Sequence, residues 1–406
     1  MSIKHQKLLF SKTKGYKLTF REKMLVGFQK LDIYFETLDL DKGQKAQKDD
    51  LMSESADYKK RFKSNLKDLQ DLVVKTEAAR KDSRVLAAFT NSNDSQLSQA
   101  GYRSPFKVIS EGQALELKDS FCQLHETKFS DQHFFNSAIK DSLASKGLWN
   151  INFSGLFQAI REPQILNLLK DRRITNELAP VLGEDQIIWR SQFFEKRGLS
   201  TGTFWHQTST FQENSKKPKL LPPSHLADEF AQLTVWVALT DTDKATGCLR
   251  IIPESFKDQK MEVLFNLISS NPLYISSFLN EEDASNLIDC FYFSAGNFIK
   301  AQFVVELLFD LFPNYMEANE IVDLEMKAGE AVIFSSMNMH ASYGMQQHDS
   351  YRLALAGRYT TPEVKVYQNQ DSDYFATPDG NMEFGLEEIR CLQVRGTDKF
   401  QFNRTI

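Results

Sequence analysis

Apolar residues recur along this chain at two different spacings. In 58–80 (YKKRFKSNLKDLQDLVVKTEAAR), Phe62, Leu66, Leu69, Leu72 and Val73 fall three and four positions apart. That period predicts an amphipathic helix. Met24, Leu25, Phe28, Leu31 and Phe35 predict another over about 20–38. Segments 111–145 and 156–171 (LFQAIREPQILNLLKD) also read as helix. Further on, the text changes to short runs rich in β-branched and aromatic residues. These are QIIWRSQFFEK (186–196), TFWHQTSTF (203–211), LTVWVALT (233–240), LRIIP (249–253), EAVIFSS (330–336) and YRLALAGRYT (351–360). Turn text such as DTDKATG (241–247) and MKAGE (326–330) separates them. Strands without regularly alternating helices predict an antiparallel barrel or sandwich, not a parallel α/β sheet. The stretch 258–320 interrupts the strands and reads as a helical, aromatic insertion, placed to cover the mouth of a site.

A polar, turn-rich segment at 91–105 (NSNDSQLSQAGYRSP) divides the chain. We expect a helical accessory region over 1–98 and a strand-rich domain over 99–406. The apolar stripes of the first region are expected to pack on its neighbour, with docking of a partner as the alternative. At 406 residues and 41% hydrophobic content there is material for a sizeable core. A net charge of -5 and a pI near 5.9 give no basic field, which argues against nucleic acid as a partner. The N-terminal text has no apolar core of a secretory signal, and no apolar run approaches the ~20 residues that span a bilayer. A membrane is therefore not an expected partner. The scattered Cys122, Cys248, Cys290 and Cys391 are expected as free thiols, which suits a cytoplasmic setting.

Seven histidines carry the candidate chemistry. His206 and His340 stand apart because each lies in or beside a β-type run, and Arg352 follows His340 by twelve residues at the start of another. His225 and His348 lie in polar loops and read as solvated. A non-haem iron(II) oxygenase uses two imidazoles and a carboxylate on one face of the metal, leaving the other positions for a keto acid and O2. The far carboxylate of the keto acid needs a cation, and arginine offers a two-pronged one.

At these residues the chain resembles a known family. The block LTVWVALTDTDKATGCLRIIPESFK (233–257) is similar to the strand–turn–strand of phytanoyl-CoA dioxygenase-like enzymes. KAGEAVIFSSMNMHASYGM with YRLALAGRYT (327–360) resembles that family's second-histidine and arginine block. GTFWHQ and the tail GTDKFQFNRTI resemble its chlorinating branch, the iron(II)- and 2-oxoglutarate-dependent halogenases. The resemblance covers about 106–406. It implies a mostly β core with flanking helices, the double-stranded β-helix (jelly roll, cupin-like). It also implies that His206 and His340 ligate Fe(II) and that Arg352 binds the distal carboxylate of 2-oxoglutarate. Thr203 and Trp236 would line the keto-acid pocket, and Arg358 would lie behind the metal near a halide. The implied reaction couples decarboxylation of 2-oxoglutarate by O2 to functionalisation of an unactivated aliphatic carbon. Candidate substrates are a small molecule or an acyl or aminoacyl group on a carrier protein, in natural-product biosynthesis.

One residue departs from the pattern. Hydroxylating members carry His-x-Asp, and the chlorinating branch replaces Asp by Gly or Ala and fills the vacancy with chloride. Here the position is Thr208, which offers neither an anion nor an empty space. Glu213 and Asp228 are the candidate substitute carboxylates, and the spacing of one and the Pro-Pro turn before the other disfavour both. Three readings stay open: a halogenase in which Thr208 tolerates chloride, an oxygenase with water in the third position, and a non-catalytic homologue.

Overall fold

The structure, a computed structural model, describes residues 66–83, 96–126, 163–200, 202–209, 218–226, 231–293, 297–317, 319–377, 380–386 and 390–406. The chain begins there with α1 (Leu66–Ser83), α2 (Gln96–Ala100), β1 (Tyr102–Lys107), α3 (Glu111–Glu126), α4 (Pro163–Leu169) and α5 (Arg172–Leu182). Strands β2 (Gln186–Arg197), β3 (Thr203–His206), β4 (Leu220–Leu221), β5 (Leu233–Ala238) and β6 (Leu249–Ile251) follow. A helical block then comprises α6 (Lys260–Ser270), α7 (Pro272–Ser276), α8 (Glu281–Ile288) and α9 (Asn297–Leu311). The chain closes with β7 (Val322–Leu324), β8 (Glu330–Ser335), β9 (His340–Ser342), β10 (Tyr351–Thr360), β11 (Lys365–Val366), β12 (Ser372–Thr377), β13 (Gly380–Gly385) and β14 (Leu392–Arg395).

Two sheets form the core. The larger has the order β1-β8-β5-β10-β2-β14 and the smaller β3-β9-β6-β7, and the pairings within both are antiparallel. This is the mostly antiparallel, helix-flanked core of the jelly-roll reading. The central strand β10 explains the arrangement. Leu353, Leu355 and Tyr359 project to one side and join Phe121, Leu169, Ile174 and Leu178 of α3–α5. Ala354 and Ala356 project to the other and meet Leu249, Ile251 and Leu324 of the small sheet. A strand covered on both faces loses the apolar–polar alternation of a half-exposed one, hence the run LALA.

A third apolar layer lies behind the small sheet. Trp205, Met339 and Ala341 pack there against Leu264, Val304 and Leu308, together with Leu69 and Val73 of α1. The described helices of the insertion thus stand behind the strands bearing His206 and His340. Their contact with the candidate site is through the backs of those strands, whereas the sequence suggested a cover over its mouth. Arg250 is stacked between the rings of Trp205 and Tyr343, 4.8 and 4.6 Å from their centroids. The stripe of α1 is buried in packing, and Glu77 of the same helix bridges to Lys260 at 3.2 Å.

Several boundaries differ from the sequence reading. The predicted strand 203–211 ends at His206, because Gln207 and Ser209 turn toward the segment before β9. The Gln207 side chain donates to the Met337 carbonyl (2.6 Å) and the Ser209 N–H to that of Ser336 (3.0 Å). The polar text around 102–107 forms an edge strand on β8, with an irregularity between Arg103 and Phe106 that accommodates Pro105. The helix predicted over 20–38 lies outside the described residues, as do Glu213, Asp228 and the later part of 111–145. The four cysteines are free thiols, and no described helix is long and apolar enough to cross a membrane.

Tyr359 ties the helical layer to the sheet: its hydroxyl donates to the Leu169 carbonyl at 2.8 Å with the ring fully buried. Tyr359→Phe strands that carbonyl, and a stability loss of about 1 kcal/mol is expected. A lower thermal midpoint at unchanged 2-oxoglutarate affinity would be the sign of it; an unaltered midpoint would contradict this role.

Candidate active site

The inward faces of both sheets carry the polar residues. On the small sheet β3 pairs with β9, putting His206 opposite His340 and Thr203 opposite Ser342. The two imidazole centroids are 4.2 Å apart. Gly202 permits this approach, since a Cβ there would meet the Ser342 carbonyl at 2.5 Å. Each histidine is oriented by its own strand. His206 Nδ1 lies 2.8 Å from the Phe204 carbonyl, and His340 Nδ1 lies 2.8 Å from the Asn338 carbonyl. A carbonyl can only accept, so both Nδ1 atoms carry the proton and both Nε2 atoms are the unprotonated nitrogens, the form that ligates a metal. Burial holds the His206 pKa down to about 4, against the opposing effect of its Phe204 bond. It pushes His340 well below its usual value too, with His206 as the next cause. Neutral imidazole is the ligating form.

Thr208 lies beside this pair, its Oγ1 3.4 Å from His340 Nε2 and its side chain buried. Two donors on adjacent positions of one metal ion lie about 3 Å apart, given bonds of about 2.1 Å. The hydroxyl would therefore sit next to a metal ion held by this pair. Among the described residues no group of three His, Cys, Asp or Glu is placed to hold a metal ion. The described donor set is thus two imidazoles with an uncharged hydroxyl alongside.

The large sheet supplies cations. Residues Arg352, Ala354, Ala356 and Arg358 of β10 face inward, opposite Lys196, Phe194, Gln192 and Arg190 of β2. Arg358 donates to Thr234 Oγ1 at 2.6 Å, and its charge lowers the pKa of both histidines. Burial pulls its own pKa down, as does the neighbouring Arg190. Arg352 is 3% exposed, with its guanidinium carbon 5.3 Å from the Trp236 ring centroid. Among the described residues it has no ion pair; its Nη1 donates to the Phe194 carbonyl at 3.4 Å, and its buried Nε has no hydrogen-bond partner there. A buried cation without a counter-ion is costly unless a ligand supplies the negative charge.

All seven sequence candidates therefore face the same inter-sheet space or its edge. Thr203 lies at the edge of the small sheet, its N–H donating to Ser342 Oγ at 3.1 Å. Sequence reasoning missed Arg190 and Lys196. The available signal was strand parity: once Arg352 and Arg358 share a face, the register of β2 carries both along.

The chain matches the family model for phytanoyl-CoA dioxygenase over residues 97–350, more than half its length. It belongs to the phytanoyl-CoA dioxygenase family. This family member is an Fe(II)/2-oxoglutarate-dependent oxidoreductase, with Fe(II), 2-oxoglutarate and O2 as its reactants and cofactors. Among solved structures it is similar to "CytC3 with Fe(II) and alpha-ketoglutarate", at 20% identity and a TM-score of 0.49, covering 77% of this chain and 90% of that one. It is similar to a non-heme monooxygenase, the ThoJ–Ni complex, at 18% identity and TM-score 0.44, with 77% and 85% covered. A third is the carbocyclase SnoK from nogalamycin biosynthesis, at 16% identity and TM-score 0.41, with 70% and 87% covered. No curated protein sequence matches the chain.

The residues fit the family's cofactors. Two oriented Nε2 lone pairs face a shared space, and on the opposing sheet lies a buried guanidinium with no counter-ion among the described residues.

Proposed function

We propose that this enzyme is a halogenase acting on an unactivated aliphatic carbon. In this reading His206 and His340 bind iron, Arg352 and Trp236 hold 2-oxoglutarate with Thr203 nearby, and Thr208 with Arg358 borders the halide. The observation that carries it is the ligand set: two neutral imidazoles, an uncharged hydroxyl where the family's carboxylate would reach, and a cationic Arg358 beside them. An iron(II) ion there lacks the charge a carboxylate would supply, and a halide answers that need. Bound together, the metal, keto acid and O2 supply an oxidant that removes a hydrogen atom from carbon as the keto acid becomes succinate and CO2.

The chain's own residues do the rest. Carbonyls of Phe204 and Asn338 keep the histidine protons on Nδ1, away from the metal side. The Thr208 hydroxyl can rotate to donate a hydrogen bond to a neighbouring anion. Apolar Phe334 packs 4.7 Å from the His340 ring centroid and helps keep water from that side. We assign 99–406 as the catalytic domain and 1–98 as accessory. The substrate class, a small molecule or an acyl or aminoacyl group on a carrier protein, rests on the sequence resemblance to the chlorinating branch.

Chloride titration of the anaerobic Fe(II)–2-oxoglutarate complex, followed through its visible charge-transfer band, tests this. The wild type and Thr208→Gly are expected to show a saturable shift, larger or tighter in the glycine variant. Thr208→Asp is expected to abolish it by filling the position. A band indifferent to chloride in both wild type and Thr208→Gly would overturn the halogenase reading. It would favour a hydroxylase with water in the third position, a reading supported by the bulk that Thr208 places 3.4 Å from His340 Nε2.

A further inference from the structure

We propose that Arg250 is a positioning residue of the metal site: stacked behind the small sheet between Trp205 and Tyr343, it clamps β3 against β9 and so fixes the placement of His206. This rests on the reading of His206 as an iron ligand. The strand that carries His206 is weakly held by its own main chain. β3 is four residues long and stands at the edge of its sheet, where it pairs with β9 alone among the described strands. Its register sets Thr203 against Ser342 and His206 against His340, with an irregularity between the two. Successive strand residues point to opposite faces. His206 points into the inter-sheet space, and the adjacent Trp205 points back into the apolar layer with Val304 and Leu308 of α9. Whatever holds the indole therefore holds the strand that bears the imidazole.

Arg250 holds that indole from two strands away. On β6 it is directly opposite Ala341 of β9, and Ala341 lies between His340 and Ser342, the two partners of β3. Trp205, Ala341 and Arg250 thus form a row across three strands on the back of the sheet. The methyl of Ala341 is short enough for the arginine to reach over β9, where its guanidinium carbon stands 4.8 Å from the Trp205 ring centroid. Tyr343, two residues beyond Ala341, brings its ring centroid to 4.6 Å from the same carbon. The Tyr343 N–H donates to the Cys248 carbonyl at 3.0 Å, which ties this second ring to the approach to β6.

The rings are what orient the guanidinium. Among the described residues no hydrogen bond or ion pair holds it, and its buried Nε has no partner there. Asp323, directly opposite Arg250 on β7, bridges to Lys244 at 2.6 Å instead. A planar cation between two aromatic faces is attracted by both, so it draws Trp205 and Tyr343, and with them β3 and the end of β9, toward one another. The Phe204 carbonyl settles which nitrogen of His206 bears the proton, and the clamp settles where the ring stands. A metal ligand has to be held to within about 0.5 Å of its working place. If the strand is loose, it has to be ordered as the metal binds, and that cost appears as lost affinity.

The test is anaerobic calorimetry of Fe(II) binding to the full chain, read beside the Fe(II)–2-oxoglutarate charge-transfer band and the melting midpoint of the metal-free protein. Arg250→Met keeps the length of the stem and removes the cation. It should weaken Fe(II) binding roughly tenfold, the lower end of what losing a supporting residue costs a metal site, and shift or broaden the band. Arg250→Lys returns a cation to the space between the rings and should recover part of both. Tyr359→Phe is the comparison: its midpoint should fall while Fe(II) affinity and the band stay at wild-type values, so stability and site geometry are read apart. Wild-type Fe(II) affinity and band in Arg250→Met overturn the proposal, as does a loss that Arg250→Lys leaves unrecovered or that Tyr359→Phe reproduces. His206→Ala separates this from the underlying reading, since it should lose more Fe(II) affinity than Arg250→Met. Wild-type Fe(II) binding in His206→Ala would show that the ligand itself is misassigned, and the proposal falls with it.

Discussion

His340→Ala is expected to abolish iron(II) binding and to lower turnover by at least about three orders of magnitude. The reason is the shortage of protein donors among the described residues. A site with two histidines and a carboxylate keeps two ligands when one is lost, whereas this constellation keeps one imidazole and a hydroxyl. Second-sphere losses alone cost metal sites about ten- to a hundredfold, and loss of a direct ligand from a two-donor set exceeds that. His340 is buried against Phe334, so the alanine variant also leaves a cavity. His340→Gln fills much of that volume and separates packing from ligation. Both should fail to develop the keto-acid charge-transfer band on anaerobic addition of Fe(II) and 2-oxoglutarate. A normal band in either protein would remove His340 from the metal site.

Arg352→Met is expected to weaken 2-oxoglutarate binding by roughly thirty- to a thousandfold, corresponding to about 2–4 kcal/mol for a buried charged contact. Its effect on the ligand-free protein should run the other way. Among the described residues Arg352 has no ion pair, and its Nε is buried without a partner. Replacing an uncompensated buried charge by an apolar side chain of similar length relieves desolvation and repulsion from Lys196. The cation–π contact with Trp236 offsets part of that relief. The ligand-free melting midpoint should therefore be equal to or above that of the wild type, while stabilisation by added 2-oxoglutarate disappears. A variant that melts far lower and still responds fully to 2-oxoglutarate would identify Arg352 as structural.

Much of this architecture can be read from the chain because its core strands are buried on both faces. YRLALAGRYT and LTVWVALT are long, apolar and flanked by turn residues, and they form β10 and much of β5 as expected. The short strands were harder. HAS at β9 is three residues of no strong β preference, held by pairing with β3 and β6. YRSPFK contains a proline and reads as loop, yet the edge of a sheet tolerates it at an irregularity. In TFWHQTSTF the propensity continues past His206 while the structure turns, because tertiary hydrogen bonds from Gln207 and Ser209 outweigh local preference. The helical insertion was visible as helix, but its side of the sheet was not: an apolar helix face records that it is covered, not by what. Lys196 was hidden for a related reason. In FFEKRG it looks like part of a solvated charge cluster, and only the pairing with Arg352 places it inside.

The two histidines take their orientation from carbonyls two residues earlier on their own chain, at Phe204 and Asn338. In many metal sites this duty falls to a carboxylate side chain, which a single substitution can delete. A main-chain carbonyl is present whatever residue bears it. The tautomer of each imidazole is thus written into the path of the backbone, and exchanges of side chain at 204 or 338 leave it in place. Drift of the surrounding sequence can therefore reshape the chamber while the pair of nitrogens keeps its aim, a form of mutational insurance for the proposed centre.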